Sequence, residues 1–224
     1  NYEELNWNFN IKVIQEISNT RFGKKEFNKI KFDKEVKRFV GYGIGFQLIS
    51  QPIQFILKDF LKNNKNLDLY GAKLLSKHFV VFLFFFISGI IFYLILRKLI
   101  DNENFCILGC ALYLTYPYLF GQAMFSPKDV PFMSVWLVCT YISFNLFEKL
   151  SDNQKLSLKS IFFLSIMTSY LLSIRISGLL IFIQYSISLL IFLSVFKINF
   201  LLFLEKFFKE IILFIFFTIL FLFI

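Results

Sequence analysis

HFVVFLFFFISGIIFYLILRK, residues 78–98, carries no charge from Phe79 to Leu96 and is bounded by His78 on one side and Arg97 and Lys98 on the other. A run of this kind is long enough to cross the roughly 30 Å of hydrocarbon in a bilayer as one helix. Only a helix or a closed barrel satisfies every backbone donor and acceptor there without water. Five further runs share the character, at 105–120, 130–147, 160–173, 178–196 and 211 onward. Composition points the same way, since 57% of the 224 residues are hydrophobic and 34 are Phe, far from an ordinary soluble domain. The expected fold class is all-α, a polytopic transmembrane helical bundle of about six spans. Residue 1 is Asn, and the last run stops without a polar flank. The expectation is therefore a fragment, with at least one span before residue 1 and more after residue 224.

Orientation follows from Lys and Arg counts in the short loops. RKLIDNEN carries two, GQAMFSPKD one, EKLSDNQKLSLK three, SIRIS one and KINFLLFLEKFFKE three. This alternation puts Lys98, Lys155 and Lys206 in the cytoplasm, and Lys128, Arg175 and everything before residue 79 on the opposite face. The stretch before residue 79 is rich in Lys but too long for the rule to apply. Two regions are thus expected: a first non-cytoplasmic loop over 1–78 and a transmembrane region over 79–224. A bacterial inner membrane or an endoplasmic reticulum membrane would suit this topology. The formal net charge of +9 is spread over loops on both faces, with no patch or module for a nucleic acid.

Within the first region, GYGIGFQLISQPIQFILKDFLKN (41–63) is too interrupted by Gly, Gln and Pro52 to span. Gln47, Gln51 and Gln54 recur at helical spacing beside Phe46, Ile49, Ile53 and Phe55, which predicts an amphipathic helix lying on the membrane surface. An ordinary short buried helix is the plainer alternative. Cys106, Cys110 and Cys139 all fall inside predicted spans, where a thiol behaves as a small hydrophobe, so neither a disulfide framework nor a metal site is expected.

The charged residues assigned to the non-cytoplasmic face are Glu3, Glu4, Lys77, His78, Lys128, Asp129 and Arg175. Each has a plain structural reading. Lys77 and His78 suit snorkelling at an interface. Lys128 and Asp129 suit a turn with a local ion pair, with Pro131 in the first turn of the next helix. Arg175, in the short loop SIRIS, suits an anchor. Taken together they offer another chemistry: fixed cations to bind a lipid-linked phosphate, and a carboxylate to accept a proton from a hydroxyl.

Taken in order, YGIGFQLISQPIQ, LLSKHFVVFLFFFISGIIFYLILRKL, LGCALYLTYPYLFGQAMFSPKDVPFM and SIRISGLL resemble the integral membrane glycosyltransferases of the GT-C fold that use polyprenyl-phosphate sugars. That group contains protein O-mannosyltransferases and bacterial aminoarabinose transferases. The resemblance covers roughly 41–180 and is most specific from Pro117 through Gly121, Pro127, Lys128, Asp129 and Pro131 to Phe132. It implies transfer of a sugar from a polyprenyl phosphate to a hydroxyl on an acceptor glycan, lipid or protein, with inversion in one displacement. No cofactor or metal is assigned, the lipid-linked sugar being a substrate.

Position by position, the resemblance implies an acidic pair in the first non-cytoplasmic loop that supplies the base. Tyr2, Glu3 and Glu4 stand there, which favours Glu3 as the base with Glu4 second. Lys77 and His78 stand where relatives open the next span with Arg-His, and Arg175 matches a later basic residue. In FSPKDVPF (125–132), Lys128 is expected to meet the donor phosphate while Asp129 orients Lys128 or a donor hydroxyl. Rival readings are a secondary transporter or lipid flippase, which would gather charge near the midplane and show repeated halves, and a non-catalytic scaffold subunit.

Overall fold

The computed structural model describes residues 44–65, 69–152 and 156–222. Glu3, Glu4 and the first part of the expected loop lie outside the described residues. Among the described residues every regular element is helical. In chain order they are α1 (Ile44–Lys65), α2 (Leu69–Leu99), α3 (Glu103–Thr115), α4 (Pro117–Phe125), α5 (Asp129–Ser151), α6 (Leu158–Ile174), a 3-10 turn (Ile176–Leu179), α7 (Leu180–Val195) and α8 (Phe200–Leu222).

Three of these helices are long and apolar enough to cross a membrane, over Leu74–Leu99, Asp129–Ser151 and Ile176–Val195, and a bent pair makes a fourth if taken as one span. The sequence reading of six spans differs at three places. The run 105–120 is broken: α3 and α4 meet at an angle of 52°. Pro117 has no N–H to continue the ladder, and a residue before proline is pushed out of the α region. Tyr116 accordingly sits at φ −59°, ψ 117°. The run 160–173 forms α6, a helix of 17 residues, short for a span. The run from 211 is the second part of α8, whose first part carries Glu205, Lys206, Lys209 and Glu210 and leaves helical geometry at Phe207.

The helix α2 begins at Leu69, ten residues before the expected start of the first span, so Lys77 and His78 belong to its third turn. From His78 to Arg97 is about 30 Å along the axis at 1.5 Å per residue, close to the hydrocarbon thickness. Contacts elsewhere fix which ends lie together. Lys98 pairs with Glu148 at the far end of α5, and Arg97 pairs with Glu103 at 2.8 Å. Arg175 pairs with Asp129 at the opposite end of α5. The Lys98 and Arg175 contacts mark opposite ends of α5.

The larger of the bundle's two core clusters among the described residues draws side chains from α1, α2, α4, α5, α6 and α7, including Phe46, Val80, Val81, Phe85, Val130, Leu171, Ile174 and Ile181, and a smaller one joins Phe192, Leu193 and Phe203. Small residues allow close crossings, as is common where lipid gives no hydrophobic drive between helices. Gly89 of α2 faces the Leu114 side chain, and its carbonyl accepts from Cys110 Sγ at 3.3 Å. Several hydroxyls pair inside the bundle, although Ser169 Oγ and the Tyr170 hydroxyl are buried with no partner among the described residues: Ser88 Oγ donates to Phe85 O at 2.6 Å and lies 2.8 Å from the Tyr113 hydroxyl. Thr168 meets Tyr185 at 3.0 Å, and Gln184 links Trp136 with Thr140. All of these interior contacts are between neutral groups.

The helix expected on the membrane surface is present as α1. Its inward stripe is Phe46, Ser50, Ile53 and Leu57, at helical spacing against α2 and α6. Gln54 turns inward and donates to Ser50 Oγ at 2.8 Å, whereas Leu48, Phe55, Ile56 and Phe60 stay well exposed.

Candidate functional site

Arg175 and Asp129 meet at one end of the bundle through features that are local in origin. Asp129 opens α5, and Ser126 stands three residues before it, the spacing of a capping box. Ser126 Oγ donates to Asp129 Oδ2 at 2.9 Å, while the Asp129 N–H lies 3.4 Å from the same hydroxyl. Pro127 and Pro131 restrict the backbone on either side. Asp129 Oδ1 is thereby left facing outward.

Arg175 reaches that oxygen because α6 ends under it. It is the residue after Ile174, extended at φ −150°, ψ 139°, between α6 and the 3-10 turn. Its backbone N–H still reaches Leu171 O at 3.3 Å, and its carbonyl accepts from the Gly178 N–H at 2.9 Å. The turn folds tightly over the helix end, since an added Cβ at Gly178 would come within 3.1 Å of Leu171 O. The guanidinium donates to Asp129 Oδ1 and lies 5.9 Å from the ring centroid of Phe132, one turn into α5. Both side chains are about half exposed, 46% for Arg175 and 58% for Asp129, so the pair adds little to stability. What it fixes is the position of a cation.

Asp129, expected to orient Lys128 or a donor hydroxyl, has Arg175 and Ser126 as its nearest partners here. The two carboxylate oxygens of Asp129 are taken by Arg175 and Ser126, and Lys128, the residue capping α5, is exposed with no ion pair or hydrogen bond among the described residues.

Lys77 and His78 are half-buried on α2, and no hydrogen bond or ion pair joins them to Asp129 or Arg175. They do belong to the same end. His78 stands two residues before Val80, Lys128 two residues before Val130, and Arg175 directly after Ile174, and Val80, Val130 and Ile174 are buried in one cluster. Beside this end, a cleft of about 430 Å³ opens between α1 and α2, lined in part by Gln51, Gln54, Lys58 and Ser76. Among the described residues no group of three metal-ligating side chains comes together.

Ser126 and Phe132 complete the arrangement and were not singled out from the sequence as site residues. The Ser126-x-x-Asp129 spacing was the available signal for the first. Nothing local signals the second, because it depends on where α6 ends. No family model matches the chain, and neither does any curated protein or solved structure.

Proposed function

We propose that this protein is a membrane glycosyltransferase of the GT-C type that transfers a sugar from a polyprenyl-phosphate donor to an acceptor hydroxyl at the bundle end bearing Arg175. The observation that carries the reading is the Arg175–Asp129 pair beside an uncommitted Lys128. An anion arriving there meets one cation held in place and one free to close on it. A phosphate is matched by the planar fork of Arg and the point charge of Lys.

In this reading the acceptor oxygen attacks the anomeric carbon as its bond to the phosphate oxygen breaks. Polyprenyl phosphate departs with the bonding pair, and the acceptor proton passes to a carboxylate. That carboxylate is Glu3, with Glu4 second, and Asp129 serves as a positioning residue for Arg175. The phosphate end of the donor rests on Lys128 and Arg175, with Lys77 and His78 nearby, and its sugar faces the cleft lined by Gln51 and Gln54. Helix α1 lies along the membrane surface with Phe55, Ile56 and Phe60 toward the lipid. Neutral polar contacts inside the bundle and charges at its ends favour chemistry at a surface over a transport pathway, where charge gathers near the midplane.

The test is incubation of the membrane-embedded protein with radiolabelled polyprenyl-phosphate sugars and membrane extract. Label should move to an acceptor fraction, and Lys128→Ala should abolish the transfer while leaving the amount of folded protein unchanged. Equal transfer by wild type and Lys128→Ala would remove the site from the reaction. Label that stays on the lipid but crosses the bilayer would favour a flippase.

A further inference from the structure

A second ligand-shaped feature lies at the other end of the bundle, among residues with no part in the proposed transfer. Between α6 and α8 runs a groove of about 720 Å³. Its walls are apolar, formed by Phe162, Phe163 and Ile166 of α6 and Leu213 and Phe217 of α8, and the two helices approach below it where Ser165 Oγ, 2.9 Å from Ile161 O of its own helix, lies 3.3 Å from Phe214 O. From Leu158 to Ile166 the groove follows about 12 Å of helix. Phe162 and Phe163 remain 41% and 48% exposed, so the walls face outward toward what surrounds the bundle.

The mouth of the groove has the opposite character. Lys159 and Ser160 line it in the first turn of α6, and Lys149 Nζ from the end of α5 lies 3.5 Å from Ser160 Oγ. Neither Lys149 nor Lys159 has a carboxylate partner among the described residues, because the neighbouring Glu148 is taken by Lys98. Two unneutralised ammonium groups and a hydroxyl thus stand at the head of an apolar channel that starts at the membrane boundary. We propose that this groove binds an anionic glycerophospholipid of the leaflet at the Lys98 and Glu148 end, with one acyl chain along Phe162, Ile166 and Leu213 and its phosphate on Lys149, Lys159 and Ser160. Zwitterionic lipid fills the same channel but gains less from the two lysines, since its headgroup carries its own cation. Basic residues just outside a bilayer attract anionic lipid in this way.

The test is native mass spectrometry of the intact chain released from bilayers of mixed phosphatidylglycerol and phosphatidylcholine with matched acyl chains. Wild type should retain phosphatidylglycerol in roughly tenfold preference. Lys149→Gln/Lys159→Gln should retain both lipids about equally, with unchanged helical content. Lys206→Gln/Lys209→Gln, which removes the same charge from α8, should keep the preference. Leu213→Trp, which narrows the channel, should lower retention of both lipids. Equal retention by wild type overturns the proposal, as does a preference that survives loss of Lys149 and Lys159 or falls equally in the α8 control.

Discussion

The guanidinium of Arg175 and the carboxylate of Asp129 are 46 residues apart in sequence and in contact at one end of the bundle. The contact forms because α5 starts and α6 ends at the same level, each at a residue shaped by its neighbours: Ser126 and Pro127 before α5 and Pro131 in its first turn, an extended C-cap after α6. An exposed pair of this kind contributes about 0.2–1 kcal/mol to stability, too little to explain it as a fastening. Its effect is to hold the Arg175 guanidinium in a defined place at this end of the bundle.

If that is its role, Asp129→Ala and Arg175→Ala should each lower sugar transfer strongly while shifting the unfolding free energy by no more than about 1 kcal/mol. In a double-mutant cycle the two losses should be far from additive. The swapped variant Asp129→Arg/Arg175→Asp restores a pair but moves the cation onto α5, so it should keep the fold and not recover transfer. Kinetics of the four proteins, with thermal unfolding alongside, checks this.

The Lys128 ammonium has no ion-pair or hydrogen-bond partner among the described residues, so its substitution separates binding from folding. Lys128→Ala should weaken donor binding by roughly 10- to 100-fold, the worth of one charge-assisted hydrogen bond of about 1.5–3 kcal/mol. Lys128→Arg should retain much of the binding. Titration with donor, read beside a melting curve that does not move by more than about 0.5 kcal/mol, measures both.

The seat of α1 rests on one small residue. A Cβ on Gly45 would lie 2.9 Å from Ser173 Cβ and 3.1 Å from its carbonyl carbon, and the Ser173 hydroxyl is already engaged with Tyr170 O at 2.7 Å. Gly45→Ala should therefore push α1 away from α6 at a cost of about 1–3 kcal/mol. Limited proteolysis should then cut within α1 faster than in wild type, while the pairing of Arg175 with Asp129 persists.

Inside the bundle, Gln184 of α7 is the polar link to α5, accepting from Trp136 Nε1 and donating to Thr140 Oγ1 at 2.9 Å. Gln184→Leu should cost about 0.6–2 kcal/mol, the range for hydrogen bonds between membrane helices. It should also change the emission of Trp136, whose indole N–H loses its acceptor. Measurement in a Trp7→Phe background isolates that signal.

The helical character was legible in the sequence because hydrocarbon leaves so few options: an uncharged run such as 79–96 has to be helical, and it lies within α2. Geometry that depends on a single residue's backbone was harder to read. Pro117 divides a run whose apolarity is continuous, and hydropathy alone does not register the missing N–H. At the site, SPKD and SIRIS meet through Asp129 and Arg175. That choice of partner was not legible, because Lys128 and Asp129 are neighbours in sequence and only the position of the α6 end brings Arg175 to Asp129. Glu3 and Glu4 are placed by resemblance alone.

The most direct measurement is the affinity of polyprenyl phosphate and of the uncharged polyprenol for the same protein, in detergent or nanodiscs, for wild type and Lys128→Ala/Arg175→Ala. Wild type should bind the phosphate at least about tenfold more tightly than the alcohol, and the double variant should bind both alike. Equal binding of the two lipids by wild type, or an undiminished phosphate preference in the double variant, would contradict a phosphate site at Lys128 and Arg175.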